Sequence, residues 1–159
     1  MLQNLIFPGL ISIAIAADIV SMRIWNWLIA LIVASYFLLA FSYGVPLITI
    51  GMHGLSGLIA LGIGLLLFGL NIFGGGDGKF IAANALWIGL GVGLLQYILI
   101  TAILGGVLAL FALACRRIRW SSTNMRQLPK WMTDNSAGIP YGAALGCAAL
   151  WMYPQISFI

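Results

Sequence analysis

The chain has 159 residues, of which 63% are hydrophobic and only 6% are charged. A water-soluble domain does not need so much apolar surface, so the composition excludes an ordinary soluble enzyme and predicts that lipid is the main solvent of the chain. The net charge of +4 does not predict a nucleic-acid-binding protein, because the basic residues fall between the apolar segments and form no soluble basic face.

Glycine, proline and short polar stretches divide the chain into six apolar segments, which we predict to be membrane-spanning helices. The sequence thus predicts one all-α domain over residues 1–159, a polytopic and glycine-rich bundle of six transmembrane helices in the inner (plasma) membrane. The first three spans are predicted over about residues 5–20, 27–43 and 48–73.

The next apolar stretch, residues 80–115, is too long for one span. A single helix of that length would measure about 50 Å, whereas the hydrocarbon core of a bilayer is about 30 Å thick. We therefore predict a turn near the glycines of residues 89–93, between residues 88 and 96, which leaves a short fourth span and a fuller fifth. A polar loop follows at about residues 116–137, and the sixth span is predicted over residues 139–158.

The basic residues indicate how the bundle is oriented. With six spans, all seven fall in the loops after the first, third and fifth spans, which share one side of the membrane. The positive-inside rule places these loops in the cytoplasm and both termini outside. The basic cluster that begins at Arg116 is then first an anchor of this topology, with affinity for anionic lipid. The seven residues are Arg23, Lys79, Arg116, Arg117, Arg119, Arg126 and Lys130.

Two of the three acidic residues, Asp18 and Asp77, lie directly at the end of an apolar segment. An ionisable side chain at the edge of the hydrocarbon is costly and is therefore a candidate functional residue. The predicted topology places both carboxylates at the cytoplasmic boundary of the membrane, where the two helix ends can be neighbours. The third acidic residue, Asp134, falls in the polar loop near Lys130, and we expect it to be solvated.

A pair of carboxylates at this boundary can hydrolyse a peptide bond without a metal, a cofactor or a covalent intermediate. Two neighbouring carboxylates share a proton, so that the ionised member accepts a proton from water while the neutral member polarises the carbonyl group. The glycines that precede Asp77 let a substrate backbone approach because they carry no Cβ. A proton relay in a proton-coupled transporter is an alternative for the same pair, although the chain lacks the internal repeats that transporters usually show.

The segment GGGDGKF at residues 74–80 resembles the GxGD-x-K signature of the type IV prepilin peptidases, which are membrane aspartyl proteases. The segment that starts at Asp18 resembles the D-x5-I-P-N-x-L motif of the same family, with Trp25 in place of the usual proline. Residues 138–144, GIPYGAA, resemble the family's IPYG-x-A segment, and residues 85–89 resemble the segment that follows its catalytic loop. The resemblance covers most of the chain.

This resemblance implies that Asp18 and Asp77 are the catalytic residues and that Gly74 and Gly76 give the substrate access. Lys79 belongs to the motif and would tune Asp77 or bind substrate, while an anchoring role at the membrane interface is equally compatible with its position. The implied substrate is a pilin precursor that is cut at the cytoplasmic membrane face, with the pilus secretion machinery as a further partner.

The larger prepilin peptidases carry a cysteine tetrad and also N-methylate the new pilin terminus, whereas this sequence contains only two cysteines. The chain therefore resembles the short peptidases of tight-adherence (Flp-type) pili, and the resemblance implies leader cleavage without N-methyltransferase activity. A catalytically inactive pilus-assembly factor is a further alternative, although the presence of both aspartates argues against it.

Overall fold

The computed structural model describes residues 5–71, 74–117, 128–134 and 136–156. Over these ranges the chain forms seven α-helices and a short 3-10 turn and contains no β-strand, which confirms the predicted all-α class. The helices are α1 (Ile6–Ser21), α2 (Asn26–Ser42), α3 (Leu47–Gly69), α4 (Gly75–Ile88), α5 (Val92–Arg117), α6 (Lys130–Thr133) and α7 (Tyr141–Met152), and the 3-10 turn covers Tyr153–Gln155.

Among the described helices, α3 and α5 are long and apolar enough to cross a membrane. They contain 23 and 26 residues. At about 1.5 Å per residue, both exceed the thickness of a hydrocarbon core of about 30 Å. Many of their large apolar side chains are exposed, including Leu58, Leu66, Leu95 and Leu110. Helices that expose so many large apolar side chains are typical of contact with lipid. Helices α1 and α2 are also apolar but shorter.

A short break at residues 89–91 separates α4 from α5, which confirms the turn predicted between residues 88 and 96. Gly89 and Gly91 adopt φ values of 79° and 146°, which residues with a Cβ rarely adopt. At Gly89 there is also no space for a Cβ atom, because it would lie 2.7 Å from Nε2 of His53. The two glycines therefore divide the apolar stretch into a short helix and a long one.

Helix α4 begins at Gly75 and not at residue 80, where the fourth span was predicted to begin, so the glycine-rich motif forms the first helical turn. Glycine is a weak helix former, which is why the sequence suggested a loop. The preceding residue, Gly74, is extended, with φ −69° and ψ 146°. Asp77 stands at the third helical position, where an acidic side chain stabilises a helix N-terminus and offsets the poor helix propensity of the glycines.

Two further segments differ in extent from the prediction. Helix α7 has 12 residues, so it is much shorter than the predicted span over residues 139–158. Two prolines limit it, because Pro140 directly precedes α7 and Pro154, in the turn that follows, has no N–H group to continue the helix. The predicted polar loop is partly helical, since α5 continues to Arg117 and α6 follows. Parts of the predicted third span, polar loop and sixth span lie outside the described residues, namely residues 72–73, 118–127, 135 and 157–158.

The two short helices α4 and α7 lie in the middle of the bundle. Helix α4 contacts α2, α3, α5 and α7, and α7 contacts α1, α4 and α5. Glycines allow the closest of these contacts: a Cβ on Gly64 of α3 would lie 2.8 Å from Cα of Gly78 in α4, and Gly146 of α7 packs directly on Ile15 of α1. The first turns of α4 and α7 consequently reach the same end of the bundle, next to the end of α1.

Candidate active site

A cavity of about 740 Å³ opens at this end of the bundle, where the end of α1 meets the first turn of α4 and the segment before α7. Both carboxylates that were predicted to be catalytic line the cavity, together with Gly74, Gly76 and Lys79. The structure thus brings all five predicted site residues to one place. The lining residues are Asp18, Met22, Arg23, Ile24, Trp25, Asn26, Asn71, Gly74, Gly75, Gly76, Asp77, Lys79, Gly138, Ile139 and Tyr141.

Asp18 lies in the last turn of α1 and is only 4% exposed. Its Oδ2 accepts a hydrogen bond of 2.9 Å from the backbone N–H of Ala143, and the backbone N–H of Gly142 also faces this carboxylate. Both N–H groups belong to the first turn of α7, where the helix dipole favours a negative charge. The Ala143 N–H is shared with the carbonyl oxygen of Pro140, at 3.1 Å. The N-terminus of α7 therefore holds the Asp18 carboxylate in place.

Asp77 occupies the first turn of α4, and its carboxylate lies next to the backbone of Gly74. The third helical position, next to the N-cap residue, is the one that the acidic member of a capping box occupies. A Cβ on Gly74 would lie 3.1 Å from Oδ2 of Asp77, whereas a Cβ on Gly76 would have no neighbour within 4 Å. Asp77 thus caps its own helix and at the same time presents a carboxylate to an open, glycine-lined side of the cavity.

The two carboxyl groups interact electrostatically within the cavity. Two like charges in a poorly solvated site cannot both ionise cheaply, so ionisation of one group opposes ionisation of the other. One group can then accept a proton while the other donates one, as acid–base hydrolysis of a peptide bond requires.

Lys79 lies at the exposed side of the cavity and points to the start of α2. Its Nζ donates a hydrogen bond of 3.1 Å to Oδ1 of Asn26. Both residues line the cavity, so their hydrogen bond forms part of its wall. Lys79 thereby joins the N-terminal part of α4 to the first turn of α2.

The loop between α1 and α2 keeps a conformation that proline would impose, although Trp25 stands where proline is usual. Trp25 has φ −69° and ψ 136°, and a proline ring fixes φ near the same value. Trp25 also stacks on Trp27, with ring centroids 5.7 Å apart and an interplanar angle of 13°. At the other end of the loop, Met22 adopts φ 53° and donates its N–H to the backbone carbonyl of Asp18, which ends α1 one turn after this residue.

Asp134 is exposed and is not one of the residues that line the cavity. Its Oδ1 accepts hydrogen bonds from the hydroxyl group and the backbone N–H of Ser136, at 2.7 and 2.8 Å. These bonds keep the pKa of Asp134 below its usual range. Asp134 is solvated, as predicted.

The sequence did not identify Gly142 as a residue of the site. A Cβ at this position would lie 2.8 Å from Cγ and Oδ2 of Asp18, so the close approach of α7 to the carboxylate depends on a glycine. Gly142 and Gly146 are four positions apart on the face of α7 that packs on α1. This small-residue spacing and the place of Gly142 in the GIPYGAA segment are the sequence signals that could have indicated the contact.

From the sequence, we expected Arg116 to anchor the topology and to attract anionic lipid. In the structure its side chain also forms a network of hydrogen bonds. Its Nε donates to the carbonyl oxygen of Trp131 at 3.0 Å, and its Nη2 donates to those of Ala137 and Gly138 at 2.7 and 3.0 Å. Gly138 lines the cavity. Arg116 therefore attaches the end of α5 to the segment that leads into α7.

The model of the type IV leader peptidase family matches residues 5–110 of the chain. Comparisons with curated proteins and with solved structures give no match. The matched residues include α1 to α4, most of α5, and both Asp18 and Asp77. Because the match covers more than half of its length, this chain belongs to the type IV leader peptidase family.

Proposed function

We propose that this membrane peptidase is an aspartyl endopeptidase that removes the leader from pilin precursors at the cytoplasmic membrane face. One observation carries the proposal: Asp18 and Asp77 come from helices far apart in sequence and line one cavity, where their carboxyl groups interact. Membership of the leader peptidase family supports the reaction class. In the proposed reaction the two residues act as one catalytic dyad.

The dyad would hydrolyse the peptide bond by proton transfer alone. The ionised carboxylate takes a proton from a water molecule, whose oxygen attacks the carbonyl carbon, while the protonated carboxyl group donates its proton to the carbonyl oxygen. Collapse of the tetrahedral intermediate passes a proton to the leaving amine and returns the dyad to its starting state. Because Oδ2 of Asp18 accepts the Ala143 N–H, we place the transferable proton on Oδ1 when Asp18 is the protonated member.

The substrate backbone would reach the dyad through the glycine-lined side of the cavity. Gly74, Gly75 and Gly76 all line it, and a Cβ on Gly76 would meet nothing within 4 Å. An extended chain could therefore lie against this wall while the apolar helix of the precursor remains in lipid. We propose the short, Flp-type pilin precursors as substrates and hydrolysis as the sole reaction.

The distribution of charge supports a cavity that faces the cytoplasm. Arg23 and Lys79 line the cavity, and Arg116 contacts the segment beside it. The positive-inside rule assigns this basic end to the cytoplasm, in a multi-pass protein of the inner membrane. Helices α4 and α7 have only 14 and 12 residues, but both lie inside the bundle, so they can belong to a six-span protein without meeting the full thickness of the lipid.

A cleavage assay tests this function. Purified protein in liposomes is incubated with a leader-bearing pilin precursor, and mass spectrometry identifies the new N-terminus. We expect the wild-type protein to cut once, between leader and mature pilin, and Asp77→Asn to be inactive although it accumulates normally. A wild-type protein that leaves the precursor intact would favour an assembly factor, and proton flux in the same liposomes would favour a transporter.

A further inference from the structure

We propose that Arg116 is a positioning residue for the aspartyl dyad: it fixes the segment before α7 so that the first turn of α7 presents its backbone N–H groups to Asp18. This inference rests on the proposed function of Asp18. It gives Arg116 a role beyond the positive charge that the positive-inside rule explains. The role depends on the geometry of the guanidinium group.

Arg116 binds three backbone carbonyl groups from two stretches of chain. The carbonyl of Trp131 lies in α6, and those of Ala137 and Gly138 lie in the segment that leads into α7. The side chain is part-buried and is not one of the residues that line the cavity. Arg116 therefore acts on the site through the backbone that it holds, without touching the substrate.

Helix α6, which Arg116 holds through the Trp131 carbonyl, is also attached to the turn of α1 that carries Asp18. The indole N–H of Trp131 donates a hydrogen bond of 3.0 Å to the carbonyl oxygen of Ile19. This carbonyl lies in the last turn of α1, where backbone oxygens lack a partner within the helix. Trp131 is thus bonded to Arg116 through its carbonyl and to α1 through its ring, and it fixes α6 between the ends of α5 and α1.

A short and stiff path leads from the Arg116 contacts to the carboxylate. Gly138 is followed by Ile139 and Pro140, and α7 begins at the next residue. The proline ring restricts the backbone at this point. A displacement of the Gly138 carbonyl would therefore move the N–H groups of Gly142 and Ala143, which lie within a few residues. Both face Asp18, and that of Ala143 donates to its carboxylate.

Arginine suits this position better than lysine. The planar guanidinium group offers five N–H donors in a fixed fork, whereas lysine offers one compact charge on a flexible stem. Arg116→Lys keeps the positive charge for membrane topology and loses the fork. Arg117 provides a matched control, because it is the adjacent basic residue in the same last turn of α5 and is exposed.

The experiment compares Arg116→Gln, Arg116→Lys and Arg117→Gln with the wild-type protein. The first readout is hydrogen exchange at the backbone amides of Gly142 and Ala143. In both Arg116 variants we expect these amides to exchange at least about tenfold faster than in the wild-type protein, because their interaction with the Asp18 carboxylate is weakened. Arg117→Gln should leave the exchange rates unchanged. Unchanged exchange in Arg116→Lys and Arg116→Gln would overturn the proposal.

The second readout is the steady-state kinetics of precursor cleavage. We expect kcat to fall about 10- to 100-fold in both Arg116 variants while KM stays within about twofold, because Arg116 acts on the dyad and not on the substrate. Arg117→Gln should keep both constants. An equal loss in Arg117→Gln, or full activity in Arg116→Lys, would assign Arg116 to topology alone and overturn the proposal. If Arg116→Gln does not accumulate, Arg116→Lys carries both readouts.

The two readouts separate this proposal from the proposed function. If the wild-type protein does not cleave precursors, the proposed function fails, and the exchange data still decide whether Arg116 fixes α7 against Asp18. If the wild-type protein cleaves and the Arg116 variants match it in kcat and in exchange, the proposed function stands and the positioning role fails.

Discussion

At the scale of single residues, the close approach of α7 to Asp18 requires that residue 142 is a glycine, which has no Cβ atom. Alanine normally favours a helix over glycine by about 1 kcal/mol, so Gly142→Ala would stabilise α7 if space were available. Its methyl group would instead lie 2.8 Å from the Asp18 carboxyl group and 2.6 Å from Cδ1 of Ile24. We expect the change to displace Asp18 and to lower cleavage about tenfold or more.

A matched control for this substitution is Gly106→Ala in α5, where a Cβ would have no neighbour within 4 Å. Thermal unfolding in detergent and precursor cleavage should both be measured. Gly106→Ala should be neutral or stabilising and fully active. If Gly142→Ala cleaved as fast as Gly106→Ala, the tight contact between α7 and Asp18 would not matter for catalysis.

The sequence identified Asp18 and Asp77 because a carboxylate at the edge of hydrocarbon is rare and expensive, and because each lies in a recognisable motif. The contacts of Gly142, Ala143 and Arg116 could not be predicted in the same way. They depend on how α6 and α7 pack against α1, which is more than a hundred positions away in the sequence, and against the end of α5. Every residue except proline carries a backbone N–H group, so the residue type does not indicate which of these groups binds a side chain.

At the scale of secondary structure elements, the close contact of α3 with α4 sets the position of Asp77. A Cβ on Gly64 would lie 2.8 Å from Cα of Gly78, the residue after Asp77, and backbone atoms cannot move aside as a flexible side chain can. We expect Gly64→Ala to destabilise the protein by about 1–3 kcal/mol and to lower its melting temperature in detergent. Cleavage should fall as well, because α4 carries Asp77, one of the two proposed catalytic residues.

Gly62→Ala is the control for this prediction, since it makes the same change on the same helix at a position with no neighbour within 4 Å. We expect it to melt at or above the wild-type temperature. A Gly64→Ala protein as stable as Gly62→Ala would show that α3 and α4 can separate without cost, and the close helix contact would then not determine the place of Asp77.

The bounds of the elements show where local sequence rules reach their limit. The break at residues 89–91 was predictable because glycine tolerates positive φ and because one helix over residues 80–115 is too long for a bilayer. The start of α4 at Gly75 could not be predicted in this way. Glycine propensity argues for a loop, and the contact of the Asp77 carboxylate with Gly74 at the start of the helix is visible only in the structure.

At the scale of the whole molecule, the account requires that the cavity end of the bundle faces the cytoplasm. Single cysteines at two exposed serines test this orientation in a protein freed of its native cysteines. Ser136→Cys lies beside the cavity end, in the segment that leads to α7, and Ser42→Cys lies at the opposite end, where α2 ends. A membrane-impermeant thiol reagent applied from outside should label Ser42→Cys and leave Ser136→Cys unlabelled until the membrane is opened. The reverse labelling pattern would show that the cavity faces away from the cytoplasm and would exclude cleavage at the cytoplasmic face.

The central claim is that Asp18 and Asp77 act as one unit, and initial cleavage rates of four purified proteins test it most directly. The proteins are wild type, Asp18→Asn, Asp77→Asn and the double variant, with Asp134→Asn as a control for loss of a carboxylate in the solvated loop. Residues that act as a unit are not additive, so each single variant should lose on the order of a thousandfold in rate and the double variant should be no slower than either. Asp134→Asn should keep the wild-type rate. Near wild-type cleavage of the precursor by Asp18→Asn would contradict the account.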